Sequence, residues 1–241
     1  MNTEPNVKLS ESIKAITESV AKFSESMRES LAKLSVDLGR SFEQTPDAIM
    51  KLSKYGWYVN LHMVPRDVLD LVRKLDEGDV EYVNKKLTAY YLSNIERIEV
   101  NLRSKYPNRE HFFDEAFKNF RNKRYSSSIL LLLTQVDGIA YDKTKKLFFT
   151  NDNKKAREQE IYQPEIYSEF EKINDSFVHL FLHPFKNSTA INDKIAKLDK
   201  YPSSLNRHLI MHGRSYDFGN YLNNIKVISF VSYFVDLVDD L

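Results

Sequence analysis

Apolar residues recur every three or four positions along most of the chain, which is the period of an α-helix with one buried side. Only six glycines and seven prolines interrupt these periodic stretches. The pattern therefore predicts an all-α protein, a helical bundle with an amphipathic, coiled-coil-like helix at its N-terminus.

Residues 1–44 carry a narrow apolar stripe between serine, glutamate and lysine positions. The stripe consists of Leu9, Ile13, Ile16, Val20, Phe23, Met27, Leu31, Leu34 and Leu38. Its steps alternate between four and three, as in a heptad, with one extra step of four after Met27. Gly39 is predicted to end this helix. Such a helix needs a partner to cover its stripe, either its own domain or a second copy in a coiled coil.

Residues 45–79 predict short helices, because prolines and glycines are frequent there. Helix starts are expected at Thr45–Pro46 and at Pro65. Two glycines are predicted to break these helices, Gly56 and Gly78. The aromatic residues between them are expected to be packing anchors rather than a ligand site: Trp57 and Tyr58.

Residues 80–241 predict the main helical domain, whose central helix, Ile129–Ile139, is apolar around most of its circumference. Further helices are predicted over Val80–Lys105, 110–122, 165–183, from Ser203 or Ser204 to Gly213, and from Asn220 to Asp240. Residues 142–160 are predicted to form a polar, lysine-rich connection between two helices. Within the central helix, Asp137 must cap, meet a cation or belong to a site, because burying an unpaired carboxylate costs free energy.

Composition narrows the classes of function. The net charge is +1, so an anion-binding site would have to be a local patch. The absence of cysteine excludes disulfides, thiolate metal sites and cysteine nucleophiles. No signal peptide, membrane-length apolar run, internal repeat or nucleotide-binding glycine loop occurs in the sequence. We therefore expect a cytoplasmic protein that does not enter a membrane.

Four of the six histidines form two pairs with four-residue spacing, His179 with His183 and His208 with His212. This spacing places both imidazoles on one helix face, where zinc could be bound. Neither pair carries the glutamate of a metalloprotease helix, and His179 lies in an apolar run typical of a hydrogen-bonded core histidine. We predict no metal and no cofactor, with the two-pair metal site as the alternative.

Arg207, His208 and His212 lie in the segment "RHLIMH", which is followed by a glycine. The segment resembles the motif of the HEPN superfamily: arginine, a polar residue, three to five variable residues and histidine. HEPN domains are α-helical and occur in prokaryotic ribonuclease toxins, abortive-infection proteins and RNA-cutting CRISPR subunits. The stretches "SILLLLTQVDGIAYD" and "HGRSYDFGNYLNNIKVISFVSYFVDL" are also similar to HEPN-like proteins. The resemblance covers residues 80–241, with His208 where the family usually has asparagine or aspartate.

The resemblance implies a metal-independent endoribonuclease that acts in antiphage defence or as a toxin. Arg207 would stabilise the charge on phosphorus, His212 would transfer protons, and His208 would orient the substrate or share the transfer. Positions 207 and 212 lie about 140° apart on a straight helix. The family completes its site by pairing two such helices, so a homodimer is expected.

Four further residues are predicted to contact the RNA substrate: Gln135, Asp137, Arg214 and Tyr216. The resemblance also implies an antitoxin or another defence-system protein as a partner. Two alternatives remain open. Arg207 could pair with Asp137 while His212 caps the helix end, or the whole chain could be a non-catalytic helical interaction module of a defence system.

Overall fold

The computed structural model describes residues 22, 24–28, 39, 43–60, 62–150, 164–173 and 176–239. These residues form helices joined by turns, and no β-strand occurs among them, which confirms the all-α prediction. None of the described helices combines the length and the apolar character needed to span a membrane. The chain divides into two compact units, Met1–Glu43 and Gln44–Leu241.

In the first unit, residues 22, 24–28 and 39 are helical, and the Met27 side chain is 49% exposed. Gly39, which was predicted to end the N-terminal helix, itself has helical backbone geometry. The other members of the predicted apolar stripe lie outside the described residues.

From residue 43 onward, turns and longer loops, such as residues 187–206, connect the described helices. These helices are α1 (residues 43–54), α2 (Pro65–Asp76), α3 (Val80–Ser93), α4 (Ile95–Lys105), α5 (Glu110–Arg121), α6 (Tyr125–Thr144), α7 (Tyr167–Phe170), α8 (Ser176–Phe181), α9 (His183–Lys186), α10 (Arg207–Met211) and α11 (Tyr221–Val238). Two 3₁₀ turns lie at Pro107–Arg109 and Ile195–Lys200.

The centre of the second unit is formed by α6, which packs against α5 and α11. Leu130 and Leu131 of α6 are partly buried. Five other apolar residues of this helix are fully buried, as the sequence predicts: Ile129, Leu132, Leu133, Val136 and Ile139. Nearly all of α11 is buried too, including the polar residue Asn224, whose Nδ2 donates to Ser128 Oγ of α6 at 3.1 Å. The core therefore lies along two helices that are apolar on almost every side.

The single helix predicted over Val80–Lys105 is wrong, because α3 and α4 are separated at Asn94. The Asn94 side chain donates from Nδ2 to the carbonyl oxygen of Tyr90 at 2.8 Å. In a continuous helix, that carbonyl oxygen would accept the backbone N–H of Asn94. Here the Asn94 N–H donates to the carbonyl oxygen of Leu92 instead. Competition between side chain and backbone therefore interrupts a stretch whose apolar period is continuous.

The helix start predicted at Thr45–Pro46 is also wrong, because residues 43 and 44 are already helical. Thr45 is fully buried and lies within α1. Proline fits within a first helical turn, where backbone N–H groups lack helical partners, and so does not have to be the first residue. The start predicted at Pro65 is confirmed.

Residues 45–79 pack into the same compact unit as the helices that follow. Trp57 is fully buried, its Nε1 donates to Asn84 Oδ1 at 2.8 Å, and its ring stacks on Tyr91. The prediction that Trp57 is a packing anchor is confirmed. Gly56, just before it, has a φ of +84°, so the predicted break needs a glycine's backbone freedom.

Lys226 of α11 is a buried cation, with 7% of its surface exposed. Its Nζ lies 5.6 Å from the centroid of the Trp57 ring. Burial lowers the pKa of the Lys226 ammonium from 10.5 to about 8, because the charged form loses its hydration. This lowering corresponds to about 3 kcal/mol of unfavourable free energy at neutral pH, which the contact with Trp57 offsets by about 1 kcal/mol.

We predict that Lys226→Met raises the free energy of unfolding at pH 7 by about 1–3 kcal/mol. The folded-state pKa lies below the unfolded one, so the destabilisation is complete below pH 8 and disappears as the pH rises towards 10.5. The gain from the substitution should shrink over that window. Urea unfolding at several pH values measures it, with Lys85→Met on the exposed face of α3 as the control. A gain that is independent of pH would contradict this explanation.

Candidate active site

The short helix α10 is held in place by Asn206, which is fully buried. Asn206 caps the helix, since its Oδ1 accepts the backbone N–H of Leu209 at 3.1 Å. Its Nδ2 donates to the carbonyl oxygens of Ala190 at 2.8 Å and Asp193 at 3.0 Å. The predicted cap at Ser203 or Ser204 is therefore wrong, because the helix begins only at Arg207, and the Asn206 amide both caps it and donates to two carbonyl oxygens of the preceding loop.

Arg207 is the first residue of α10, and its backbone N–H donates to Ile191 O at 2.9 Å. Its guanidinium carbon lies 4.9 Å from the centroid of the Phe149 ring. Its Nη2 lies 3.5 Å from Asp137 Oδ2, the single hydrogen bond of this guanidinium among the described residues. With 28% of its side chain exposed, Arg207 keeps N–H donors that are not used by these contacts.

Asp137 of α6 connects the central helix to this region. Its Oδ1 accepts the backbone N–H groups of Phe148 at 3.0 Å and Phe149 at 2.8 Å. Its Oδ2 faces Arg207. The predicted alternative in which Arg207 pairs with Asp137 is thus observed, and the same carboxylate also fixes the turn that places Phe149 beside the arginine.

His208 and His212 lie one helical turn apart, and both are exposed. Their ring centroids are separated by 4.4 Å, at an interplanar angle of 62°. Partial burial lowers the pKa of His208, as do the nearby charges of His212, Arg207 and Arg214. The His208 imidazole is therefore neutral at pH 7 and can accept a proton.

The C-terminal end of α10 agrees with the sequence prediction. His212 is the C-cap residue, and its backbone N–H donates to His208 O at 3.2 Å. Gly213 follows with a φ of +65°, the left-handed geometry that glycine adopts at low cost. The helix end therefore places the second histidine where the chain turns away, at an exposed corner.

A cavity of about 290 Å³ lies beside Arg207 and His208. Phe149, Asn192, Asp193 and Lys194 are also in its lining. Although burial acts to raise the pKa of the Asp193 carboxyl, hydrogen bonds from Lys200, Tyr201 and its neighbour's N–H lower it overall. These lining residues could not be predicted from the sequence. No motif in the lysine-rich connection or in the loop before α10 indicates that they lie close to Arg207.

The remaining predicted substrate contacts are in different surroundings. Gln135 is buried on α6, where its Oε1 accepts from Arg109 Nη1 at 2.9 Å, and it does not line the cavity beside Arg207. Arg214 is exposed and close enough for its charge to affect His208. Tyr216 is 96% exposed. The structure thus brings Asp137, Arg207, His208 and Arg214 into one region and leaves Gln135 out of it.

The second histidine pair makes separate contacts. His179 Nε2 lies 2.7 Å from Ile173 O, so the predicted hydrogen bond is present, although this histidine is partly exposed. His183 Nδ1 lies 3.9 Å from Asp47 Oδ1. Across the described part of the chain, no three histidine, aspartate or glutamate side chains come together as ligands for a metal ion.

No protein-family model matches the sequence, and neither the curated proteins nor the solved structures contain a match to this chain. Fold alone does not define a function, since one fold can carry many chemistries. The side chains around α10 are therefore the basis on which a function can be inferred.

We predict that Asp137→Ala lowers the free energy of unfolding by about 2–4 kcal/mol, because two backbone N–H groups lose their acceptor. Asp137→Asn should cost less, since an amide oxygen can still accept from both groups while the charge facing Arg207 is lost. Chemical denaturation of the two variants measures the difference. Equal, small losses in both would show that the carboxylate does not hold this turn.

Proposed function

We propose that the protein is a metal-independent endoribonuclease of HEPN type that acts in prokaryotic antiphage defence or as a toxin. The proposal depends above all on one observation, the exposed pair of His208 and His212 next to Arg207. RNA is the substrate and a homodimer is the active form. Asp137 positions Arg207, and Arg214 and Tyr216 are available for RNA contacts.

The residue types match the chemical requirements of RNA cleavage. A base must remove the proton of the 2′-hydroxyl, an acid must protonate the leaving 5′-oxygen, and a cation must stabilise the charge on phosphorus. Histidine performs either proton transfer near neutral pH, and arginine offers fixed charge and several donors to phosphate oxygens. His208, with its lowered pKa, suits the base, and His212 suits the acid.

The exposure of the histidines supports catalysis over a purely structural role. Histidines that serve packing are usually buried and hydrogen bonded, and His179 is hydrogen bonded to a backbone carbonyl although it is only partly buried. His208 and His212 instead face solvent, and His208 lines a cavity with Arg207 and Lys194. Arg207 and Lys194 bring positive charge to this lining, which also contains the Asp193 carboxylate, and such cations are the groups that contact RNA phosphates.

The small size of the site supports the proposed homodimer. A single α10 has five residues and supplies one arginine and two histidines. Two copies facing each other would double the cations along an RNA strand and allow the arginine of one copy to act with a histidine of the other. The stripe in residues 1–38 is the proposed means of association.

We predict that full-length protein cuts RNA in the presence of EDTA and leaves products with a 2′,3′-cyclic phosphate or its hydrolysis product. Arg207→Ala, His208→Ala and His212→Ala should each lower the rate by about 10²-fold or more. Because His208 must be neutral to act as a base and the general acid must be protonated, the rate should rise with pH through the lowered pKa of His208 and fall again at higher pH. RNA lacking the 2′-hydroxyl at the cut site should resist cleavage.

The matched controls are His111→Ala and Arg66→Ala, two exposed residues outside the site, which should leave the rate unchanged. Cleavage that disappears in EDTA and returns with zinc would replace the proposal with a metal-dependent mechanism. Folded protein that cuts no RNA, alone or with a partner from its own cells, would overturn the enzymatic proposal.

A non-catalytic interaction module is the second candidate, and the contact of Arg207 with Asp137 favours it. In that case the arginine only stabilises the fold. Arg207→Ala would then lower the free energy of unfolding, and there would be no cleavage activity to lose. Arg207→Lys separates the two candidates, since lysine keeps the charge but lacks the planar fork that binds phosphate oxygens in two places. A stable Arg207→Lys variant with strongly reduced cleavage supports the enzyme.

We predict that the protein is a dimer at micromolar concentration and that deletion of residues 1–38 weakens the association. If the stripes of two chains pack against each other, deleting residues 1–38 from both chains removes that apolar contact. Light scattering of the full chain and of the shortened chain measures this effect. A monomeric full chain would contradict the proposed active form, and an undiminished dimer after deletion would assign the stripe to its own domain.

A further inference from the structure

A second cavity, of about 330 Å³, lies beside α4 and α11 and shares no lining residue with the cavity at Arg207. Its polar lining includes Asn60, His62, Arg97, Lys105, Ser232 and Asp236, and Ile98 supplies an apolar part. The volume is close to the lower limit of small-molecule pockets, which begin at about 300 Å³. Two of its polar side chains have atoms without a hydrogen-bond partner among the described residues.

The first of these is Asn60, of which 1% is exposed. Its Oδ1 accepts from Tyr90 Oη at 3.0 Å and from the backbone N–H of His62 at 3.3 Å. These contacts define the orientation of the amide, because the opposite orientation would set its NH₂ against a backbone N–H that can only donate. The Nδ2 group is buried and, among the described residues, has no acceptor. A buried donor in this state costs free energy until a ligand or water supplies an acceptor.

The second is Asp236 of α11, whose Oδ2 is buried without a hydrogen-bond partner among the described residues. Burial raises the pKa of this carboxyl, while the nearby charges of His62, Lys105 and Arg97 act in the opposite direction. None of these three side chains comes within ion-pair distance of Asp236 in the part of the chain described. Lys105 pairs with Asp239, and Arg97 Nη2 donates to Asn94 Oδ1 at 3.1 Å. A gap therefore separates the carboxylate from every cation around it.

We propose that this cavity binds a small zwitterion of the amino-acid class. The ammonium group of the ligand donates to Asp236 Oδ2, and its carboxylate accepts from Asn60 Nδ2 and from the guanidinium of Arg97. Such a ligand carries both a donor with positive charge and an acceptor with negative charge, so it satisfies both unpartnered atoms at once.

Other ligand classes fit the lining less well. A nucleobase is usually held by stacking on aromatic rings, and no phenylalanine, tyrosine or tryptophan is among the described residues that line this cavity, although Tyr90 lies behind Asn60. A divalent cation prefers several oxygen ligands and would be repelled by Arg97 and Lys105. A simple anion would satisfy Asn60 and leave Asp236 unpartnered.

The experiment uses the full chain and titrates each standard amino acid by calorimetry at millimolar concentrations, together with ethylamine and acetate. At least one amino acid should bind saturably and raise the melting temperature, while ethylamine and acetate, which each carry half of the recognised groups, should not. Asn60→Asp keeps the acceptor for Tyr90 and His62 but replaces the donor with an oxygen, and Asp236→Asn removes the charge that binds the ammonium. Each should weaken binding about tenfold or more.

Asn122→Asp and Asp199→Asn make the same chemical changes at exposed positions and should leave the affinity unchanged. If Asn60→Asp fails to fold, as circular dichroism would show, Arg97→Gln tests the carboxylate end of the ligand in its place. Absence of binding by every amino acid would mean that the cavity holds water alone, and the proposal would be wrong. Binding that persists unchanged in both cavity variants would equally overturn it. RNA cleavage does not enter this test, so its outcome is separate from that of the proposed nuclease.

Discussion

The carboxylate of Asp137 is the contact on which the geometry around α10 depends. It lies on the central helix, where an unpaired charge would be costly, and its two oxygens bind two different parts of the chain. One oxygen holds the turn at Phe148 and Phe149, and the other faces Arg207. Because Phe149 in turn lies against the Arg207 guanidinium, the arginine is positioned from two sides by a single acidic residue. The site is thus connected directly to the most buried helix pair of the fold.

This arrangement explains why one contact is compatible with two roles for Arg207. An arginine that stabilises the fold and one that binds phosphate both require a fixed guanidinium, and a carboxylate is the usual means of fixing it. The two roles differ in whether the guanidinium has hydrogen-bond donors left to bind a phosphate. Arg207 has unused donors, and its neighbours Lys194 and Arg214 are exposed cations. Lys194 lies with Arg207 in the lining of the cavity, which also includes the Asp193 carboxylate.

The parts of the fold that could be predicted are those that depend on local periodicity and local backbone geometry. The apolar run of α6, the start at Pro65 and the left-handed Gly213 are examples. The break at Asn94 and the cap at Asn206 could not be predicted. Each depends on the hydrogen bonds of one side-chain amide, which no apolar period reveals. Arg207 and its histidines are neighbours in sequence and were predicted together. Phe149, and the cavity between Asn60 and Asp236, depend on contacts between distant segments that no sequence period reveals.

The small size of α10 has a consequence for how the motif is understood. Five residues are far fewer than an isolated helix needs to persist in water. The spacing of His208 and His212 is therefore imposed by the buried amide of Asn206 and by the loop that it binds, both of which belong to the folded core. A synthetic peptide with this sequence would contain the same residues without their arrangement. The sequence motif is local, but its conformation depends on buried contacts made elsewhere in the fold, so substitutions at Asn206 can disrupt the site without touching the motif.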